Sequence, residues 1–190
     1  MRYPLIVVLP AGTDLTDLDN VLADVMAPFD ENREDIADLP DDQPLTWDRY
    51  AIGDRFSGFF PVRAGAERAD LIHPRLADGA DTHDAVCDGG RIRALDLERK
   101  RVNAARHLRT PSAKASAADH SWVALAQRAR DTAIPTGAVL THEGVWLSPG
   151  GVRFVTERSG PAYDAFVALA NAYLDALDDD TILVLVDCHT

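Results

Sequence analysis

Near the end of the chain, Ile182 to Val186 is an uninterrupted aliphatic run, ILVLV, with acidic residues on both sides. The run is too short for a helix and apolar at every position, which reads as a central strand of a sheet. A second short apolar run, Tyr3 to Leu9, is closed by Pro10 and Gly12 and suits a buried strand. Between these two runs the pattern alternates. Leu15, Leu18, Val21, Leu22 and Val25 recur at helical spacing, with Thr13 or Thr16 as N-cap and Pro28 as the stop. Asp96 can cap a second helix reaching about Leu108, with Leu95, Val102, Ala105 and Leu108 on its apolar side. His120 to Asp131 reads as a third. The clearest helix opens at Ser159 and Pro161 and carries Tyr163, Phe166, Val167, Ala170, Tyr173, Leu174 and Leu177 on one face.

Strand signals fill the gaps. Trp47 to Gly58 is expected to continue as a hairpin into Phe59-Phe60-Pro61-Val62. Ala138 to Leu140 and Val145 to Leu147 form a second hairpin around His142-Glu143-Gly144, and Val152 to Thr156 adds a strand. The stretches 30–44 and 110–118 read as an acidic loop and a connector, and 64–90 as a long irregular segment with weak periodicity. The expectation is one α+β domain over 1–190, with a mixed or mainly antiparallel sheet and helices packed on one face.

Composition narrows the function classes. The chain of 190 residues is 46% hydrophobic, ordinary for a globular domain. No apolar run approaches the roughly 18 residues that a membrane span requires, so no membrane partner is expected. The apolar N-terminus lacks a small-residue cleavage site and reads as a first strand. Cys87 and Cys188 are too few for a disulfide framework, which makes a reducing cytoplasm the expected compartment.

Net charge is −12, which argues against general nucleic-acid binding. Its distribution says more. Residues 1–48 hold twelve acidic side chains against two arginines, whereas 91–114 hold eight basic side chains against Asp96 and Glu98. That basic stretch either balances the acidic quarter as a solvated helix face or meets a phosphate or acidic partner. In the second case Arg99 and Arg101 are ligand-binding candidates.

The segment W-D-R-Y-A-I-G-D-R-F-S-G at 47–58 combines strand-forming aromatics with turn-forming glycine and aspartate. In one reading Trp47 and Tyr50 stack a flat ligand while Arg55 pairs with its phosphate or carboxylate. In the other, Trp47, Tyr50, Ile52 and Phe56 are core and Arg55 bonds to Asp48 or Asp187. The chain ends D-C-H-T, and strand alternation puts Asp187 and His189 on one face. An Asp and a His side by side could be an acid/base pair or two metal ligands, with His142 as a further candidate. Two ligands are not a site, and no H-x-x-x-H or C-x-x-C spacing supplies more, so neither metal nor cofactor is expected. The plainer alternative is Asp187 salt-bridged to an arginine. No G-x-S-x-G, Walker A or G-x-G-x-x-G motif occurs.

Taken together, Y-P-L-I-V-V at the start, A-P-F-D-E-N at 27–32, the 47–58 segment, G-A-V-L-T-H-E-G-V-W at 137–146 and the terminal V-D-C-H-T resemble a group of uncharacterised phage and actinobacterial proteins. The group's central motif runs W-D-x-Y-x-I-G-G-R-W; here Asp54 replaces the second glycine and Phe56 the tryptophan. The resemblance implies a small phage-type accessory protein and brings no established activity. The expected function is a non-catalytic binder of a nucleotide-like or other anionic ligand, in a counter-defence role, possible as a homodimer. The alternatives are a hydrolase or nuclease using Asp187 and His189, with or without a metal, and an acidic protein that binds and inhibits a host protein.

Overall fold

The two ends of the chain pair along their whole length. Strand β1 (Arg2–Leu9) runs antiparallel to β9 (Ile182–His189), from Arg2 opposite His189 to Leu9 opposite Ile182. The computed structural model describes residues 2–35, 46–75, 85–108, 122–149 and 159–190. Every β9 residue from Ile182 to Val186 is inaccessible to solvent, as an all-apolar central strand requires.

Around this pair, β4 (Leu71–Ile72), β6 (Gly89–Arg91), β9, β1, β7 (Ala138–Leu140) and β8 (Trp146–Leu147) follow in that order, and β2 (Arg49–Ile52) also pairs with β9. Only β1 and β7 run parallel, so the seven-stranded sheet is mixed and mainly antiparallel. A two-stranded sheet joins β3 (Phe60–Pro61) to β5 (Val86–Cys87). With four helices among the described residues, the fold is α+β.

Side-chain alternation splits the core in two. On one face Ile6, Val8, Leu183 and Leu185 meet Tyr163, Phe166, Val167, Ala170 and Leu174 of α4 (Pro161–Asp175). On the other, Val7, Ile182, Val184 and Val186 meet Leu18, Leu22 and Met26 of α1 (Leu18–Met26). Helices α2 (Leu97–His107) and α3 (Trp122–Asp131) pack on each other, and α3 touches α4. Three helices therefore gather on one side, while α1 covers the second face. A central strand apolar on both faces needs that second cover.

Other local expectations are corrected. Neither Thr13 nor Thr16 caps the first helical turn; the Asp14 carboxylate does, accepting from the Thr16 N–H and hydroxyl at 2.8 Å each. Gly160, not Ser159, occupies the cap position of α4, with Pro161 in the first turn. Of the apolar side expected for α2, Leu95 is fully buried in the core just ahead of the helix, whereas no residue within α2 is buried and Leu108 is exposed. The hairpin from β2 into β3 does not form. Gly53 turns the chain away at φ +67°, donates its N–H to the Leu185 carbonyl and starts a 3-10 turn at Asp54–Phe56. Strand β3 then pairs with β5 instead. The segment 64–90 carries β4, β5 and the start of β6, because Gly89 and Gly90 fit against backbone where a side chain would collide. The expected strand at 152–156 and connector at 110–118 lie outside the described residues.

Candidate functional site

Register alone builds a row of two arginines and a histidine at the β9 C-terminus. His189 is the cross-strand partner of Arg2 on β1 and of Arg49 on β2. Three adjacent strands thus place Arg2, His189 and Arg49 on one face, about 5 Å apart from strand to strand. This is the α4 face, beyond the reach of its apolar cluster. One step inward on that face stands Asp187, flanked by Pro4 and Ala51. The two motifs that stood out in the sequence, 47–58 and the terminal D-C-H, therefore meet.

The 53–58 loop folds against the same end. Arg55 donates its backbone N–H to Asp187 Oδ2 at 3.3 Å, and the Arg2 guanidinium bridges Asp187 at 3.1 Å and Asp54 at 2.9 Å. The arginine partner expected for Asp187 is thus Arg2. Arg55 contributes only its backbone, and its side chain stands exposed. Asp187 is 4% exposed, and its Oδ1 has no hydrogen-bond partner. Buried carboxylate oxygens are normally satisfied, so this one marks an unfilled requirement.

A second buried carboxylate anchors the loop from below. Asp88, 2% exposed, accepts from the Ser57 hydroxyl at 2.7 Å and from the Gly58 N–H at 2.6 Å, and lies 3.3 Å from His73 Nδ1. Arg75 also donates to the Ser57 hydroxyl oxygen. Asp54 and His73 both adopt positive φ, 38° and 45°, so backbone strain concentrates around this knot. Ser57 thus donates its hydrogen bond to a carboxylate, and no histidine bonds it among the described residues.

His189 Nδ1 lies 2.9 Å from Asp48 Oδ1, and its carbonyl accepts the Asp48 N–H. Burial pushes the Asp48 carboxyl upward, but the hydrogen bond and charge of His189 outweigh it and hold it below the ordinary carboxylate range. Fixing Nδ1 leaves Nε2 as the nitrogen available to a ligand.

The remaining candidates lie elsewhere. Trp47 is buried, donates Nε1–H to the Met26 carbonyl at 3.1 Å, and meets Tyr50 edge-on at 4.9 Å. Trp47 packs in the α1-side core and the half-buried Tyr50 packs against it, the arrangement of the core reading. Arg99 donates to the Val62 carbonyl, and Arg101 ties α2 to Asp175 at 2.6 Å. Lys100 donates to the Phe59 carbonyl over the Phe59 ring; burial pulls its ammonium down to about 8. Arg99, Lys100 and Arg101 of the basic stretch thus brace the fold, while Arg106 stands exposed on α2. His142 bonds Tyr173 at 2.8 Å beyond the C-terminal end of β7, the end of the sheet away from Arg2. Arg55, Asp187 and His189 converge; His142 does not join them.

Among the described residues, no three His, Cys, Asp or Glu side chains form a group able to hold a metal. A cleft of about 440 Å³ beside His73, lined by Leu15, Asp17, Asp19 and Ile72 among others, holds none of the candidate site residues. Cys87 and Cys188 are both buried, and burial raises both thiols, Cys87 to about 11. Native protein at pH 8 is therefore expected to resist thiol labelling that goes to completion in denaturant; rapid native labelling would contradict this burial.

Three contributors were missed by the sequence reading. Arg2 and Arg49 become visible only once β1, β9 and β2 are aligned end to end. Asp88 precedes Gly89-Gly90 and looked like a loop residue. Comparison with family models, curated proteins and solved structures finds no match.

Proposed function

We propose that this protein binds a small anionic ligand, nucleotide-like in charge, on the Arg2–His189–Arg49 row without transforming it. The observation carrying this reading is the in-register row itself, with Arg55 on the adjacent loop. Arg2 is committed to Asp187 and Asp54, whereas Arg49 and Arg55 are exposed and have no ion-pair partner among the described residues. Two guanidinium groups outside any salt bridge, with the charge of Arg49 also acting on Asp48, suit the oxygens of a phosphate or carboxylate. In the phage setting that the sequence resemblance implies, sequestering an anionic host signal is the corresponding counter-defence role. Among the described residues no helix is long and apolar enough to cross a membrane.

Calorimetric titration with pyrophosphate, nucleotides and cyclic oligonucleotides tests the reading. Arg49→Ala and Arg55→Ala are each expected to weaken binding roughly tenfold, about 1.5 kcal/mol per charge-assisted contact. Neither should shift the melting temperature by more than a degree or two, since surface changes of this kind cost little. Absence of saturable binding across the panel would sink the proposal.

The Asp48–His189 pair favours hydrolysis as a second reading, because a histidine held at Nδ1 by a carboxylate can take a proton at Nε2. It ranks second because Asp187, the other half of the supposed acid/base pair, is buried and spends Oδ2 on Arg2 and the Arg55 N–H. Turnover of a bound nucleotide, lost in His189→Ala, would reverse that order.

A further inference from the structure

We infer that the ligand is a hydroxyl-bearing organic phosphate, with its phosphate on Arg49 and Arg55 and its hydroxyl donating to Asp187 Oδ1; this rests on the anion-binding reading above. Two independent observations combine. One is the pair of exposed arginines, Arg49 at the outermost register position and Arg55 on the adjoining turn. The other is the buried Asp187 carboxylate, one residue pair inward on the same face, with Oδ1 unsatisfied. Residues two apart on a strand are separated by about 7 Å, the scale on which a sugar ring separates a phosphate from a hydroxyl.

The chemistry of the missing partner is constrained. Oδ1 is an acceptor and needs a donor. A metal cation is a poor fit, because the Arg2 guanidinium lies 3.1 Å from Oδ2 of the same carboxylate and no group of three ligating side chains forms among the described residues. A second protein cation meets the same repulsion. A neutral hydroxyl donates to the carboxylate without adding charge beside Arg2, and forms a charge-assisted bond.

Oδ1 is closed to solvent, so a ligand hydroxyl meets it only as adjoining chain moves, and the 54–56 turn packed on β9 is the segment bonded to the same carboxylate. Its polar ties to Asp187 are the Arg55 N–H at 3.3 Å and, through Arg2, the half-exposed Asp54 carboxylate. An ion pair of that exposure is weak, and Gly53 supplies the hinge. A ligand that bonds Oδ1 and engages Arg55 therefore gains contacts as the turn moves.

The test compares adenosine diphosphate, its 2′,3′-dideoxy analogue and pyrophosphate by calorimetry on the wild-type protein. The expected result is that all three bind, with the diphosphate about tenfold tighter than the dideoxy analogue. In Asp187→Asn, which keeps the side chain's shape, that gap is expected to narrow to about threefold or less. Equal wild-type affinity for the diphosphate and its dideoxy analogue, with pyrophosphate also binding, overturns the hydroxyl assignment and leaves the anion site standing; Oδ1 would then hold a buried water. Failure of all three to bind overturns both. The wild-type comparison decides the matter even if Asp187→Asn does not fold.

Discussion

Gly53→Ala is expected to lower stability by about 3 kcal/mol and the melting temperature by roughly 6–12 °C. Two costs add at this position. The first is conformational: φ +67° with ψ −70° lies in the γ-turn region at positive φ, which L-residues avoid. The second is steric, since a Cβ built there would stand 2.3 Å from Asp88 Oδ2 and 2.5 Å from its Cγ. Asp88 cannot swing aside cheaply, because Ser57, Gly58 and His73 hold it. Gly144→Ala separates the two costs. Its φ is +81°, yet no atom lies within 4 Å of its added Cβ, so it should lose only about 1 kcal/mol. Equal losses in the two variants, read from denaturant midpoints, would show that contact with Asp88 contributes nothing.

What the sequence revealed follows from the range of the interactions. The β9 run, the β7–β8 hairpin, the Asp96 cap and the apolar face of α4 are each written within a few residues, and each formed as expected. Sheet neighbours are not local. Whether β2 pairs with β3 or with β9 depends on Gly53 meeting Leu185, 132 positions away in the chain, and no nearby pattern encodes that choice. The same holds for the candidate site. The alternation of β9 correctly put Asp187 and His189 on one face, and in the aromatic segment Trp47, Tyr50 and Ile52 pack on the α1 side while Phe56 packs on the α4 side. The residues that complete the row, Arg2 and Arg49, acquire meaning only from register. Conversely, the basic 91–114 stretch was conspicuous in composition, yet Arg91, Arg93, Arg99 and Arg101 are spent on carbonyls and carboxylates within the fold. Counting charge shows where cations are, not whether they are already paired.

Asp88→Ala is expected to cost about 3 kcal/mol, because it strips the acceptor from two donors in the loop knot, the Ser57 hydroxyl and the Gly58 N–H. His73, largely exposed, can turn to water and adds little. The loss should not add to that of Gly53→Ala. With the carboxylate gone, a Cβ at position 53 meets no carboxylate oxygen and only the dihedral cost remains. The double variant is then expected to lose about 4 kcal/mol rather than 6, a coupling of about 2 kcal/mol between residues in direct contact. Denaturant midpoints of the four proteins give the cycle. Strict additivity would mean that Gly53 and Asp88 stabilise the loop independently. The coupling also bears on the ligand site, since the knot holds the chain that carries Arg55. Hydrogen exchange at the Gly58 amide should quicken in Asp88→Ala, and ligand affinity should fall there even though Arg49, Arg55 and His189 are all intact. Unchanged affinity with a loosened loop would separate the Asp88 knot from binding and leave the row to act alone.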